Sequence, residues 1–386
     1  MDVRLGSRAL FPRLEAKLYL AHAAISPASL RVEAALEEGA RRQATEGLPS
    51  IAWGKERAQE ARERFAILAG VGPERVAHVQ NTSSGLIAIA NSFRWNSGDK
   101  LLCFDGEFPT NVIPWREVAR VHDLHLDFLP VADFARDHGL GLGRLEEHLR
   151  QGVRLVAVSA VQFQSGLAMP IPEMAALCKR YGARLCVDAI QAIGAMPFCA
   201  EEWGVDYLAA SAHKWLMGPL GSGFLYVSED GHRDLDLHLA GWMSVRQPEA
   251  FLFPETPDID YATPLASGIE SFETGILNYN GIAATSAGMQ PLVELGTEAI
   301  FAHLQAWHDD AEARLTERGF TSLRHPQAAG RSGILSFTPP EGVDLGALTA
   351  KLWEQGIAQT APNHCWRLAP HWPNSLDEPA RLVAAL

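Results

Sequence analysis

The chain has 386 residues, more than one hydrophobic core usually holds, so we expect two domains. Its 46 acidic and 33 basic residues give a formal net charge of -13, which disfavours nucleic acid and anionic membranes as partners. The five cysteines form no CxxC pair, and neither a secretory signal nor a long membrane-spanning run is present. These features predict a cytoplasmic chain.

Short apolar runs that are typical of buried strands alternate with helical patterns up to about residue 235. In chain order, they are ERVAHVQ, DKLLCF, LHLDFLP, VRLVAVSAV, ARLCVDAI, DYLAASA and GFLYVSED. This alternation predicts an α/β fold in which helices cover a mostly parallel seven-stranded sheet.

The pattern then changes to a weakly periodic stretch, expected to be a long ordered connection, that contains Pro248, Pro254, Pro257 and Pro264. A helical region over about 282–318, the strand GILSFTPP, the helix LGALTAKLWEQG and the strand CWRLAPHW follow. We therefore expect a large domain over 19–265 and a small C-terminal α+β domain over 266–386. An N-terminal segment, 1–18, is expected to pack with the small domain.

A lysine follows a buried apolar run in SAHKW, where Lys214 is expected to be desolvated. Desolvation lowers the pKa of an amine, and a neutral amine is suited to forming a Schiff base. Asp188 ends the apolar run LCVD, and carboxylates at such strand ends face the ligand crevice of α/β sheets. It is a candidate partner for a pyridinium nitrogen, or a cap for the helix that follows; the two roles are compatible.

The segment ERVAHVQNTSSGLIAIAN predicts a strand, a turn of small hydroxyl residues and an apolar helix. Free amides at the helix start, beside hydroxyls, favour a phosphate site, although TSSG is also good capping chemistry. A phosphate on this turn, a ring nitrogen on Asp188 and an aldehyde on Lys214 together indicate pyridoxal 5′-phosphate (PLP) as the cofactor.

These motifs, in this order, resemble the class V aminotransferase family, which includes cysteine desulfurases, selenocysteine lyases, isopenicillin N epimerase and kynureninase. The resemblance runs from about Tyr19 to the C-terminus. It implies a fold-type I PLP-dependent enzyme, a small-molecule amino-acid substrate and a homodimer with shared active sites. SAHKW is similar to the family's Ser-x-His-Lys segment, which implies Lys214 as the Schiff-base lysine and Ser211 and His213 as phosphate ligands.

Further roles follow from the same resemblance. VDAIQA implies Asp188 at the pyridine nitrogen and Gln191 near the phenolic oxygen. NTSSG, which is similar to the family's phosphate turn, implies Ser83 with Ser84 as its neighbour, the latter standing where a glutamate is common. EFPTNVIPW resembles the segment that stacks on the cofactor, which implies Phe108; packing in the core is the alternative.

On the substrate side, WRLAPHW resembles the family's C-terminal strand and implies Arg367 as the ligand of the substrate carboxylate. Pairing of Arg367 with a nearby acidic residue is the alternative. His22 and Trp242 stand in segments that line the substrate side in relatives, and both are also plausible packing residues.

The sequence departs from the family pattern at two cofactor contacts. Ile276 follows Gly275 where the family has a threonine that reaches the partner's phosphate, so Thr274 or Asn278 is expected to compensate. The family's asparagine near the phenolic oxygen has no match in SAVQFQSG, where Gln162 is the expected substitute.

Cys365 lies two residues before Arg367, within or beside a strand, whereas desulfurases carry their thiol on a mobile loop; we expect it to be a packing residue. The 14 histidines show no HxxxH or HExxH spacing, so no metal site is expected. The predicted activity is transamination of an α-amino acid or β-elimination from a cysteine-like substrate. Alternatives are an epimerase of the isopenicillin N type, a non-catalytic PLP-binding protein and a Schiff-base enzyme without cofactor.

Overall fold

The computed structural model describes residues 3–252 and 259–386, so Pro254 and Pro257 of the expected connection lie outside the described residues. The strands are β1 Leu18–Tyr19, β2 Val76–Val79, β3 Lys100–Asp105, β4 His125–Pro130, β5 Val153–Ser159, β6 Arg184–Asp188, β7 Tyr207–Ser211, β8 Gly223–Val227, β9 Thr321–Ser322, β10 Leu335–Thr338, β11 Ile357–Ala358 and β12 Trp366–Leu368. The helices are α1 Leu30–Glu46, α2 Ser50–Ala69, α3 Thr82–Ser92, α4 Ile113–His122, α5 Val131–Arg136, α6 His138–Leu149, α7 Ile171–Tyr181, α8 Ala200–Trp203, α9 Glu229–His232, α10 Tyr279–Leu295, α11 Thr297–Glu317, α12 Leu345–Glu354 and α13 Glu378–Ala384.

A seven-stranded sheet forms the centre of the molecule in the order β2-β8-β7-β6-β5-β3-β4. Strand β8 is antiparallel to both of its neighbours, while the pairs among β7, β6, β5, β3 and β4 are parallel. Each of the seven apolar runs in the sequence contains one of these strands. The prediction of an α/β fold with a mostly parallel seven-stranded sheet is therefore confirmed.

Both faces of the sheet are covered around its central strands, which explains why those strands are apolar on both sides, whereas the edge strand β4 is mostly exposed. One face carries the larger core, to which α2 and α10 contribute, and α10 packs against α1 and α2. The other face carries a second core that includes side chains of α3 and α4. Because the central strands are packed on both sides, the positions of their ends are fixed. The side chains of the candidate site project from these ends.

The C-terminal part builds a smaller α+β unit around a third core. Its sheets are β12-β10-β9 and the parallel pair β1-β11, so β1 attaches the start of the chain to this unit. Leu10 and Phe11, in contrast, belong to the larger core. Helix α11 is shared, because Ile300 packs in the larger core and Trp307 in the smaller one. The division at residue 265 and the segment 1–18 stay predictions, since α10 lies with the larger core.

The single helical region expected over 282–318 is two helices, α10 and α11. Gly296 separates them and has φ +80°, a left-handed conformation that glycine adopts without strain. None of the helices among the described residues is long and apolar enough to cross a bilayer.

Candidate active site

Three adjacent parallel strands end at polar side chains on one edge of the central sheet. Strand β5 ends at Ser159, β6 at Asp188 and β7 at Ser211, and Ser159 lies directly opposite Asp188 in the strand register. All three side chains line a cavity of about 390 Å³. The position agrees with the rule that ligands bind outside the carboxyl ends of parallel strands.

The start of α3 contributes to the cavity lining, and one of its first backbone donors has no partner in the part of the chain that the structure describes. The Thr82 N–H donates to the Ser211 hydroxyl at 2.7 Å, and the Ser84 N–H donates to the Asn81 side chain at 2.8 Å. Between them, the Ser83 N–H has no acceptor among the described residues. Since Ser83 lines the cavity, this unpaired donor at a helix N-terminus is suited to an anion such as a phosphate.

Lys214, which is half-buried, and the buried Asp188 line the same cavity. Burial lowers the pKa of Lys214 to about 8, the charge of Asp188 opposes that shift, and the charge of Arg367 adds to it. Burial raises the pKa of Asp188, which is 2% exposed, to about 6. One Asp188 oxygen accepts the Ile190 N–H at 3.0 Å within a turn, while the carboxylate lines the cavity. The next helix, α8, begins only at Ala200, so Asp188 does not cap a helix.

His213 and Gln191 also line the cavity. Burial, with the neighbouring charge of Lys214, lowers the pKa of His213 to about 4, so its imidazole is neutral at neutral pH. The Gln191 amide donates to the Ala23 carbonyl at 3.0 Å and accepts from the Trp215 indole at 2.7 Å. These two bonds fix the orientation of the Gln191 side chain.

Arg367 brings a buried guanidinium to the same cavity, although it is only 5% exposed. Its Nη1 donates to the Phe163 carbonyl at 2.7 Å and its Nε donates to the Thr360 hydroxyl at 3.0 Å. The ion pairs among the described residues do not include Arg367, so nothing there supports the alternative of an acidic partner. A buried cation without a counter-ion favours an anionic ligand, and burial lowers its pKa to about 10.

Two aromatic rings form an apolar wall of the cavity. Phe108 and Phe163 meet edge to face, with ring centroids 5.2 Å apart. The Lys214 ammonium lies 5.7 Å from the centroid of the Phe108 ring. Because Phe108 is 46% exposed, it is not a core residue, and its ring stays available to a ligand.

The structure places Gln162 away from the cavity. Its amide donates to the buried Glu107 carboxylate at 3.2 Å, and the neighbouring Phe163 lines the cavity instead. The expectation that Gln162 stands near the cofactor therefore has no geometric support, because the turn that begins at Phe163 leaves the Gln162 amide on Glu107.

Ser84 and Thr274 do not line this cavity but a second one of about 420 Å³. The Ser84 hydroxyl is occupied by a reciprocal cap with the Asn81 backbone, accepting from its N–H at 3.0 Å. Asn278, the other residue expected to compensate for Ile276, caps α10 through the Gly281 N–H. The contact expected of Thr274 or Asn278 is with the phosphate of a partner subunit, so it stays a prediction.

His22 and Trp242 also lie outside the cavity lining. His22 is buried, shares a hydrogen bond of 2.8 Å with Ser26 and packs edge to face on His371. Trp242 is exposed and packs on Phe251. Both residues therefore make packing contacts, which were the alternative to a contact with the substrate.

Sequence reasoning missed three residues of this region. Glu107 is buried and holds Ser159, Thr110 lines the cavity beside Ser83, and Ser26 bonds the backbone of the lysine segment. Glu107 and Thr110 stand on either side of Phe108 in EFPTN. These polar neighbours of a predicted cofactor contact could have been proposed as site residues from the sequence. Ser26 lies 188 residues from Lys214, and no sequence pattern indicates such a contact.

Cys365 does not line the cavity, and its sulfur lies 3.7 Å from the Asn363 carbonyl oxygen. Burial raises the pKa of this thiol, which lowers its thiolate fraction. Within residues 3–252 and 259–386, no cluster of His, Cys, Asp and Glu side chains is arranged to hold a metal ion.

Comparison with known proteins identifies the family to which this arrangement belongs. The aminotransferase class-V model matches residues 18–375. The chain belongs to the class V aminotransferase family. It is therefore a PLP-dependent enzyme, as the sequence motifs predict. The free Ser83 donor, the desolvated Lys214 and the buried Asp188 fit this cofactor in chemistry, and the cavity has a suitable volume.

Relatives in the class V family are diverse in activity. An uncharacterized aminotransferase, YcbU, of Bacillus subtilis is 28% identical over 323 residues, 84% of this chain and 81% of the relative. The isopenicillin N epimerase of Streptomyces clavuligerus is 27% identical over 346 residues, 88% of this chain and 84% of the relative. A probable cysteine desulfurase of Chlamydia trachomatis is 29% identical over 290 residues, 74% of this chain and 67% of the relative.

Solved structures share the fold over nearly the whole chain. A cysteine desulfurase from Thermococcus onnurineus matches with a TM-score of 0.83 and 24% identity, covering 95% of this chain and 93% of that one. The cystine C–S lyase C-DES in complex with cysteine persulfide matches with a TM-score of 0.83 and 24% identity, covering 97% and 98%. The fold of PLP-dependent enzymes predicted from the sequence is thereby confirmed.

Proposed function

We propose that the enzyme removes the α-proton of an α-amino acid through Lys214 and eliminates the β-substituent of a cysteine-like substrate. The observation that carries the proposal is that Lys214, Asp188 and Arg367 line one cavity, with Arg367 free of any acidic partner among the described residues. Relatives named cysteine desulfurases support the substrate class. Transamination is the second candidate, favoured by the relative named an aminotransferase.

The site residues have distinct roles in this proposal. The Arg367 guanidinium binds the substrate carboxylate as a bidentate fork, while its bond to the Phe163 carbonyl fixes its orientation. Asp188 binds the pyridine nitrogen and keeps it protonated, and the Ser83 N–H at the start of α3 binds the phosphate. Ser211 and His213 are proposed as further phosphate neighbours, and Gln191 as the neighbour of the phenolic oxygen.

Lys214 is the proposed general base. Its pKa of about 8 leaves a neutral fraction of the amine near neutral pH, whereas an unperturbed lysine with a pKa of about 10.4 has almost none. When bound, PLP supplies an electron sink for the negative charge that develops at the α-carbon. The Phe108 ring, whose centroid is 5.7 Å from the Lys214 ammonium, would offer the cofactor an apolar surface beside the base.

The titratable side chains that line the cavity argue against epimerisation. They are Asp188, His213, Lys214 and Arg367 among the described residues. Epimerisation by two bases would need a proton donor opposite Lys214, and burial lowers the pKa of His213 to about 4, which makes its imidazole a poor donor at neutral pH. Removal of the α-proton in elimination or transamination needs only Lys214.

The first experiment tests the cofactor and the lysine. The purified protein should gain a visible chromophore with PLP, and borohydride should fix the cofactor covalently. Lys214→Ala should lose this covalent link, whereas a variant at an exposed lysine, Lys179→Ala, should keep it. A Lys214→Ala protein that is labelled like the native one would overturn the assignment.

A second experiment identifies the reaction. Amino acids including cysteine and cystine are incubated with the holoenzyme, and products are measured. Pyruvate with sulfide or persulfide supports elimination, because both arise when the Cβ–S bond breaks. Conversion of the cofactor to its amine form, reversed by a keto acid, would instead establish transamination, and racemised substrate would establish epimerisation.

The homodimer stays a proposal, as does the cytoplasmic location. Exposed apolar side chains between residues 239 and 276 support an interface, among them Leu239, Trp242, Leu265 and Ile276. The measurement is the molar mass of the holoenzyme in solution by light scattering, for which a monomeric mass would contradict the proposal.

A further inference from the structure

Thr110 lies in a short turn between β3 and α4 and brings its hydroxyl to the start of α3. Its Oγ1 is in hydrogen-bonding contact with Oγ of Ser83, and both residues line the active-site cavity. The two residues belong to different elements, 27 positions apart, so their meeting is a product of the tertiary fold.

The turn that carries Thr110 is held rigidly. Pro109 fixes the first backbone angle, and the Asn111 N–H donates to the Phe108 carbonyl at 2.8 Å. Asn111 is fully buried, and its side chain accepts the Trp115 indole N–H at 3.0 Å. Thr110 is therefore presented to the cavity by a fixed scaffold.

An inventory of donors shows which groups at the α3 end are free. The Thr82 hydroxyl accepts the Ser211 N–H at 2.9 Å and pairs with the Ser211 hydroxyl, and the Ser84 hydroxyl belongs to the cap. The hydroxyls of Ser83 and Thr110 pair only with each other among the described residues. One bond between two hydroxyls uses one proton, so one O–H donor remains free beside the free Ser83 N–H.

Free donors at the positive end of a helix favour an anion that accepts several hydrogen bonds, and a phosphate has the oxygens to do so. The carboxylate of the substrate has its own cation in Arg367. No donor arrives from Ile276, which is 57% exposed and lines the second cavity with an alkyl side chain. The phosphate is the group of PLP that fits the Ser83 end.

We propose that Thr110 binds the phosphate of PLP through its hydroxyl, together with Ser83, and so completes the phosphate site within one chain. This inference rests on the proposed function, which places the phosphate at the start of α3. In this proposal, the Thr110 hydroxyl donates the hydrogen bond to the phosphate that the alkyl side chain of Ile276 cannot donate.

The test compares PLP with pyridoxal, which lacks the phosphate. Thr110→Val keeps the shape and removes the hydroxyl, so its Kd for PLP should rise by about 10-fold or more, while its Kd for pyridoxal should stay within about twofold. Thr110→Ser should retain tight binding of PLP. The control, Thr45→Val, removes an exposed hydroxyl on α1 and should change neither value.

The possible outcomes distinguish a failure of the Thr110 inference from a failure of the proposed function. If the wild-type protein binds PLP and Thr110→Val has the same ratio of the two Kd values, the inference about Thr110 is wrong and the proposed function stands. If the wild-type protein forms no lysine-linked cofactor, the proposed function itself fails. If Thr110→Val binds neither ligand, Thr110→Ser and Thr110→Ala are compared instead. A phosphate contact is supported if Thr110→Ala loses PLP binding but still binds pyridoxal while Thr110→Ser binds both. Any other result for this pair contradicts the inference.

Discussion

Glu107 and Ser159 form a buried pair that fixes the end of β5. One carboxylate oxygen of Glu107 accepts the Ser159 N–H at 2.6 Å, and the other contacts the Ser159 hydroxyl. Ser159 lies opposite Asp188 in the sheet register, so Glu107 determines where the strand end beside Asp188 sits. Burial raises the pKa of Glu107 to about 7, and hydrogen bonds from Ser159 and Gln162 limit the shift.

Two replacements of Glu107 distinguish the effect of its hydrogen bonds from the effect of its charge. Glu107→Ala leaves the Ser159 N–H unpaired in a buried site, at a cost of about 1–3 kcal/mol, so both the melting temperature and PLP affinity should fall. Glu107→Gln keeps an acceptor and should fold normally, while any limb near pH 7 in the pH profile of kcat/KM should disappear. Glu378→Gln, at another buried carboxyl, serves as the control and should leave that profile unchanged. An unaltered profile in Glu107→Gln would show that Glu107 acts through its hydrogen bonds to Ser159 and Gln162 and not through its titration.

The pKa of Lys214 predicts how cofactor attachment depends on pH. The neutral amine reacts, so the rate should rise with pH and level off above about 8. Asp188→Asn removes a negative charge that raises the pKa of Lys214, and should move the midpoint down. Arg367→Gln removes a positive charge that lowers it, and should move the midpoint up. The measurement is the rate of chromophore formation with PLP, and shifts of the same sign in both variants would contradict the prediction.

Arg367→Met should lower affinity for the substrate rather than stability. Loss of a charge-assisted contact of about 1.5–3 kcal/mol predicts a rise in KM of roughly 10- to 150-fold. The change in melting temperature should be small, because a buried guanidinium without a counter-ion is costly to retain.

The matched control for Arg367 is Arg324→Met. The side chain of Arg324 is only 3% exposed, but it pairs with Asp309 at 2.6 Å and Glu312 at 2.7 Å, away from the cavity. Its loss should lower the melting temperature and leave KM unchanged. The assignment of Arg367 to the substrate carboxylate fails if both variants behave alike.

Cys365→Ser should release product from a cysteine-like substrate at a rate within about twofold of the native enzyme. The thiol does not line the cavity, and burial raises its pKa, so little nucleophilic thiolate is present. The measurement is release of pyruvate and sulfide under single-substrate conditions. A loss of sulfide release greater than about 10-fold would make Cys365 a participant.

The sequence by itself predicted the sheet because its strands carry local signals. Most of the seven apolar runs are buried on both faces in the fold, so their composition alone identified them; the edge strand β4, where Leu129 is the buried residue, is the exception. The motifs around Lys214, Asp188 and Ser83 were equally readable, since strand ends and helix starts fix which side chains reach the crevice. The break at Gly296 was missed, because helical periodicity continues on both sides of it.

Only the tertiary structure decided which polar groups are already occupied. The sequence offered Gln162, Ser84, Thr274 and Asn278 as cofactor or compensating contacts. The fold turns Gln162 towards Glu107, 55 residues away, and places Ser84 and Thr274 on the second cavity, while Ser84 and Asn278 form local helix caps with residues three positions away. The sequence did not predict the roles of Glu107, Thr110 and Ser26, because their contacts join distant parts of the chain. Local pattern determines strands, helices and the residues at their ends. Burial and the assignment of each donor to its acceptor depend on how those elements pack, and that packing determines which donors remain free for a ligand.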